Sequence, residues 1–126
     1  MRAGRALRRI IMDRIIDVVP DLDGKVYDRA AEDTAYPYVT LGPSFWVDDS
    51  AECIQARSQT VQVDVWHSGA AKGALEDLVD DVSAALDGWA VDELTMHPLQ
   101  VTLARIMDDP SGALHGVVQV EAMVEG

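Results

Sequence analysis

The chain has 126 residues, a length that suits one domain built around one hydrophobic core. Hydrophobic residues make up 48% and charged residues 25% of it, which excludes a disordered chain and favours an ordinary globular domain. No apolar run approaches the roughly 20 residues that a membrane-spanning helix needs, so no membrane partner is expected. The single cysteine, Cys53, excludes an intramolecular disulfide and a cysteine-based zinc site, and it fits a reducing cytoplasm.

The formal net charge is −12, but the charge is unevenly distributed along the chain. The first 14 residues contain five arginines and one aspartate, a net of +4, whereas the other five basic and 21 acidic residues give −16. A body this acidic repels a phosphate backbone, which argues against specific nucleic-acid binding. Only the first predicted helix could touch nucleic acid.

The first predicted element is a helix that ends at Pro20 and the turn 21–24. Its apolar residues recur at three- and four-residue spacing and share one face: Leu7, Ile10, Ile11, Ile15 and Val18. Arginines crowd its first turns, where positive charge opposes the helix dipole. This mismatch indicates that the arginines serve an acidic partner surface, and the candidate interface residues are Arg5, Arg8 and Arg9.

Three strands are predicted between this helix and the next. Residues 25–28 form a short strand, and residues 36–42, which are rich in aromatic and β-branched side chains, form the second. Residues 58–66 alternate strictly, with valines at every second position, as in a strand with one buried face. The stretch 43–56 has no clean period and is interpreted as a long loop or a hairpin arm.

A second helix is predicted from an apolar stripe that runs from Ala71 to Leu86 at three- and four-residue spacing. Acidic residues cover its other side, and Gly88 supplies the stop signal. The alanines at positions 71, 74 and 85 predict that this helix lies close to a sheet.

Two strands close the chain, residues 99–104 and 117–124, and the turn 108–112 joins them into an antiparallel hairpin. The element order is therefore α-β-β-β-α-β-β, in which helices do not alternate with strands one for one. This order favours an α+β fold: a single domain over residues 1–126, with an antiparallel sheet of about four to five strands and two helices packed on one face. The other face of the sheet must then meet water or another subunit.

No constellation of residues points to a catalytic site, a cofactor or a metal ion. The three histidines, His67, His97 and His115, lie in separate elements without a second ligand at helical or hairpin spacing. Asp64 and His67 point to opposite sides of their strand, and no Gly-x-Ser-x-Gly elbow supplies a nucleophile. The adjacent acidic pairs lack the spacing of a calcium loop, so an enzyme is not expected.

Aromatic residues outside the predicted core are further candidates for an interface, where tryptophan is enriched. Trp66 falls on the polar side of its strand, where it either covers the second face of the sheet, anchors an interface or packs under the segment 43–56. Phe45 and Trp46, within that segment, carry the same ambiguity. The acidic candidates beside them are Asp48, Asp49 and Glu52.

Several short motifs stand in a characteristic order. They are Lys25-Val26-Tyr27-Asp28, Tyr36-Pro37-Tyr38-Val39-Thr40-Leu41-Gly42, Val63-Asp64-Val65-Trp66, Ala85-Leu86-Asp87-Gly88, the 108–112 turn and Leu114-His115-Gly116-Val117-Val118. In order and spacing, over residues 5–124, they resemble the tail-completion, or tail-terminator, proteins of siphophages and gene transfer agents.

This resemblance implies a hexameric ring that caps the head-proximal end of a tail tube and joins it to the head-side connector. It implies helices on one side of an antiparallel sheet, no catalysis and no cofactor. The partners would be other copies of the chain, the tail tube protein and the connector proteins, with assembly in the cytoplasm and a final place in the tail of a virion or gene-transfer-agent particle. DNA would pass through the ring, and an acidic lumen lined by Asp48, Asp49 and Glu52 would not hold its phosphates.

Two other functions stay open at the level of the sequence. Another head-tail joining adaptor would bind a portal or adaptor ring instead of a tube. A small-molecule-binding α+β domain, or an enzyme, would need a concave site with convergent polar groups, which the sequence does not offer.

Overall fold

The computed structural model of the chain describes residues 2–92 and 94–125. Over these residues it contains two α-helices, a short 3-10 helix and six strands, and its fold class is α+β, as predicted. The elements in chain order are α1 (Gly4–Val18), the 3-10 helix (Pro20–Leu22), β1 (Val26–Tyr27), β2 (Tyr38–Asp48), β3 (Ala56–His67), α2 (Lys72–Leu86), β4 (Thr95–Met96), β5 (Gln100–Asp108) and β6 (Leu114–Glu125). The predicted order is confirmed, with the two-residue strand β4 added before the closing hairpin.

Two long central strands organise the sheet. β3 and β6 pair antiparallel without a break, from Ala56 opposite Glu125 to His67 opposite Leu114. β2 pairs antiparallel with the other edge of β3, and β4 and β5 follow one another along the outer edge of β6. The order across the sheet is therefore β1-β2-β3-β6, with β5 and β4 beside β6.

The prediction of a wholly antiparallel sheet is wrong at one edge. β1 pairs parallel with β2, and Val26 lies opposite Val39. The connection 28–37 returns the chain to the level at which β1 began, so that β2 leaves in the same direction. The sheet is consequently mixed, although all pairs beyond β1–β2 among the described strands are antiparallel.

Both helices cover the same face of the sheet, as predicted. The alternating valines of β3 and every second residue of β6 point towards them and form the core. α1 contributes Leu7, Ile11 and Ile15, which are fully buried. Val19, 1% exposed, completes this stripe in place of the predicted Val18, which is 37% exposed because the helix ends there and the chain turns.

The close approach of α2 to the sheet depends on a glycine of β6 more than on the predicted alanines. A Cβ built on Gly116 would lie 2.5 Å from Val79 Cγ2, so a side chain at this position has no room. Ala85 is buried, but Ala74 is exposed and Ala71 precedes the first residue of the helix. α2 therefore packs closely on β6, as expected, for a different reason.

Candidate assembly surfaces

The segment 43–56 belongs to the outer half of the β2–β3 hairpin, and its exposed part, residues 43–55, is here called the arm. A register shift between Leu41 and Ser44 interrupts the pairing, which then continues to Asp48 opposite Arg57. The large apolar residues of the arm are about half exposed or more: Phe45 (58%), Trp46 (55%), Val47 (58%) and Ile54 (48%). Several large apolar side chains exposed on one short segment are typical of a surface that binds another molecule.

Hydrogen bonds shape the tip of the arm in advance of any contact. Asp48 Oδ1 accepts hydrogen bonds from the Ser50 hydroxyl at 2.7 Å and from Ser50 N at 3.2 Å. These two bonds hold the pKa of Asp48 below its ordinary value. Ala51 and Ile54 exchange backbone hydrogen bonds across the turn, in which Cys53 has a φ of +64°. The tip thus presents its acidic side chains on a defined backbone.

The base of the arm contains buried polar groups whose hydrogen bonding is incomplete. Arg57 is 9% exposed, and its guanidinium carbon lies 4.9 Å from the centroid of the Trp46 ring. Gln59, on the same side of β3, is 4% exposed. Among the described residues, Arg57 Nε and Gln59 Oε1 have no hydrogen-bond partner. A concavity of about 460 Å³, lined in part by Trp46, Asp48 and Arg57, opens beside them.

The outer side of α1 forms a second concave surface, of about 550 Å³, here called the α1 groove. Its lining residues are Arg2, Arg5, Ala6, Arg8, Arg9, Met12, Asp13, Ile16 and Asp28. Arg8 forms an ion pair with Asp28, and Arg9 Nη1 lies 3.7 Å from Asp13 Oδ2, one helical turn further on. The three arginines predicted as interface residues therefore line one groove, together with apolar residues that include the exposed Ile16.

The face of the sheet opposite the helices, here called the open face, carries a row of stacked rings. Trp66 stacks on His115 across the β3–β6 pair, with ring centroids 4.0 Å apart and planes inclined by 6°. Tyr38 stacks on the other side of Trp66 at 6.4 Å, and Tyr36 stacks on Tyr38 at 5.6 Å. Trp66 Nε1 donates a hydrogen bond to Thr40 Oγ1 at 3.0 Å. Trp66 thus covers part of the open face, and it does not pack under the arm.

A buried carboxylate, that of Asp64, contacts the imidazole at one end of this row. His115 Nε2 lies 2.7 Å from Asp64 Oδ1, which also accepts a hydrogen bond from Gln62 at 2.8 Å. Asp64 is 6% exposed. His67 is turned to the other side of β3, as predicted, and its Nδ1 accepts a hydrogen bond from Ser68 N. The Asp64–His115 contact therefore joins the two central strands through their side chains.

Two titratable groups in or beside the row have shifted pKa values. The pKa of Tyr38 is raised, chiefly because burial disfavours the phenolate, and also because Tyr36 and Asp109 lie nearby. The pKa of Asp109 is lowered, chiefly by hydrogen bonds from Ser111 and to a smaller extent by His115. Asp109, in the turn before β6, therefore lies near the row of rings on the open face.

Sequence reasoning did not identify His115 or Arg57 as parts of these surfaces. Strict alternation from Leu114 to Val124 places His115 opposite the core-facing residues, and this signal was sufficient to assign it to the open face. No comparable signal marks Arg57, because a charged residue at the start of a strand ordinarily indicates solvent exposure.

Within residues 2–92 and 94–125, no group of three His, Cys, Asp or Glu side chains could hold a metal ion. In that same part of the chain, no helix is long and apolar enough to cross a membrane. The features that the fold does present are a sheet covered on one side, an exposed apolar arm and a basic groove. Together they are typical of a small structural subunit that functions by assembling with other proteins.

Comparison with known proteins shows which family this chain belongs to. The chain matches the family described as "Tail completion protein gp17" over residues 3–125, and it belongs to that family. It is therefore a structural protein of the phage-tail type and not an enzyme, in agreement with the resemblance seen in the sequence. A chain of the solved structure titled "Virion of native gene transfer agent (GTA) particle" has the same fold, with a TM-score of 0.78, 21% identity and coverage of 92% of each chain. No curated protein sequence matches this one.

Proposed function

We propose that this protein is a tail-completion subunit that forms a hexameric ring at the head-proximal end of a tail tube and joins the tube to the head-side connector. The observation that carries the proposal is the exposure of the arm, where Phe45, Trp46 and Val47 are each more than half accessible in the protomer. Such apolar side chains become buried when copies of the chain surround one another. Family membership supports the role in a tail.

A second set of exposed apolar residues supports an additional partner. The strand registers place Leu103 and Met123 on the open face, because they lie opposite Gln119 and Ser58, respectively. Leu103 is 45% and Met123 36% exposed. A subunit at the end of a tube needs one contact to its neighbours in the ring and another along the tube axis. The open face offers a surface for the second contact.

The charge of the chain is compatible with DNA passing through such a ring. Outside the first 14 residues, 21 acidic residues stand against five basic ones. Acidic groups facing a central channel would repel phosphates and would let DNA move without being held. In this proposal the protein assembles in the cytoplasm and remains in the tail of the finished virion or gene-transfer-agent particle.

The ring is tested by measuring mass and shape in solution. Mass photometry and negative-stain electron microscopy of the purified chain, alone and mixed with tail tube protein, should reveal closed rings, and we expect six copies. A strictly monomeric mass in both samples, at concentrations up to that used for microscopy, would refute the proposal.

The alternative is a head-tail joining adaptor that binds a portal or connector ring directly. The two roles are distinguished by which protein the chain binds. Immobilised chain should retain tail tube protein in preference to portal or adaptor protein. Retention of the portal or adaptor ring without any binding to tube protein would favour the adaptor role.

A further inference from the structure

The arm combines acidic and apolar side chains without basic ones. Residues 43–56 contain three carboxylates and no lysine or arginine. The carboxylates are those of Asp48, Asp49 and Glu52, all on exposed residues. Phe45 and Trp46 project from the same segment. A partner for this arm must therefore offer positive charge around an apolar surface.

The α1 groove has that complementary chemistry. Its lining includes four arginines against two aspartates, so it keeps positive charge after Arg8 has paired with Asp28 and Arg9 with Asp13. Its lining also includes the apolar residues Ala6, Met12 and Ile16, and Ile16 is 42% exposed. Arginine side chains also stack on aromatic rings, as Arg57 already does with Trp46 in the protomer. The groove can consequently receive the carboxylates of an arm together with one of its aromatic rings.

We propose that the arm of each protomer docks in the α1 groove of a neighbouring copy of this chain. This inference rests on the proposed ring, whose lateral contact it specifies. In the protomer itself both surfaces are open at the same time, because the apolar side chains of the arm and Ile16 of the groove are exposed together. The arm therefore does not fill its own groove.

The arrangement also explains how the contact can close a ring. The two surfaces are different parts of the chain, so their contact is heterologous, and repetition of a heterologous contact generates a ring when the rotation closes. In this arrangement Asp49 and Glu52 face arginines between subunits, and they do not line the DNA channel. The arginines in the first turns of α1 oppose the dipole of the helix. Carboxylates from a neighbouring arm would offset this positive charge.

The test is a pair of charge-reversal variants. Each changes residues whose side chains form no hydrogen bond or ion pair within the described part of the protomer. The arm variant carries Asp49→Lys and Glu52→Lys, and the groove variant carries Arg2→Glu and Arg5→Glu. A control variant, Asp77→Lys with Asp81→Lys, makes the same change of charge as the arm variant on the exposed side of α2. Association is measured by sedimentation velocity over a dilution series at two salt concentrations, with tube protein present if the wild-type chain requires it.

Each interface variant alone should associate at least tenfold more weakly than the wild-type chain, and the control should associate within about threefold of it. A mixture of the arm and groove variants should regain association. When the two variants alternate, a reversed arm meets a reversed groove at every second contact, and a native arm meets a native groove at the contacts between. Such a mixed assembly must contain an even number of copies, which its mass reveals.

The inference is overturned if both interface variants associate as the wild-type chain does, or if both fail and their mixture does not recover. Neither result refutes the proposal that the protein forms a ring, because that proposal is tested on the wild-type chain. A wild-type chain that stays monomeric alone and with tube protein instead removes the ring, before any variant is compared.

Discussion

Replacing Phe45 by serine should separate assembly from folding. Phe45 is 58% exposed in the protomer, so about 100 Å² of the roughly 150–250 Å² of an aromatic side chain is left to be buried by a neighbour. At about 25 cal/mol per Å² this burial contributes about 2.5 kcal/mol to each contact. Loss of that contribution corresponds to an association constant about 70-fold weaker. The free energy of unfolding of the protomer should change by less than about 0.5 kcal/mol, because the phenyl group of Phe45 is largely exposed in the protomer.

The assay compares two measurements on the same proteins. Sedimentation velocity over a dilution series gives the association constant, and urea denaturation at a concentration where only protomer is present gives the free energy of unfolding. Val18→Ser is the matched control, since Val18 is also an exposed apolar residue but lies at the end of α1, outside the arm and the groove. Unchanged association of the Phe45→Ser variant, or a loss of protomer stability large enough to explain weaker association, would refute the reasoning.

Three further predictions concern the sheet. Gly116→Ala should lower the free energy of unfolding by about 1–3 kcal/mol, because the new Cβ meets Val79. In a double-mutant cycle measured by urea denaturation, adding Val79→Ala should recover part of this loss. Simple additivity of the two substitutions would contradict the prediction. Asp64→Ala should cost about 1–3 kcal/mol by the same measurement, because His115 loses its buried acceptor, and a loss below about 0.5 kcal/mol would be evidence against that role. The raised pKa of Tyr38 contributes stability that is present below about pH 10 and is lost as the pH rises through the folded value. Tyr38→Phe should therefore show a shallower fall of the melting temperature above about pH 10 than the wild-type chain, and equal slopes would exclude the effect.

Local periodicity was sufficient to predict the elements that bury one continuous face. The apolar stripes of α1 and α2 and the alternation in β3 each contain several core residues, so an error at one position, such as Val18 in place of Val19, leaves the element intact. Alternation also placed Trp66 correctly on the side opposite the core. These signals are short-range, because each one depends only on the spacing of residues within a single element.

What the sequence did not reveal depends on distant parts of the chain. The continuation of β2 as far as Asp48 was obscured by the register shift after Leu41, which breaks the alternation where the arm begins. The contact between Asp64 and His115 joins residues 51 positions apart, and no local pattern specifies which histidine an aspartate will meet. The parallel pairing of β1 likewise depends on the path of a connection and not on the two residues of the strand.

The features that are unfavourable in an isolated protomer are of three kinds, and one partner cannot satisfy all of them. The arginines at the start of α1 oppose the dipole of their own helix, and the arm exposes the apolar surface of Trp46 to water and brings three carboxylates of like charge close together in the chain. An arm in a neighbouring groove satisfies these two features together, since each supplies what the other lacks. Leu103 and Met123 on the open face are then still exposed, and they require a molecule that approaches from another direction. A subunit that closes a ring and also caps a tube needs two such independent contacts, whereas a simple dimer would need only the first.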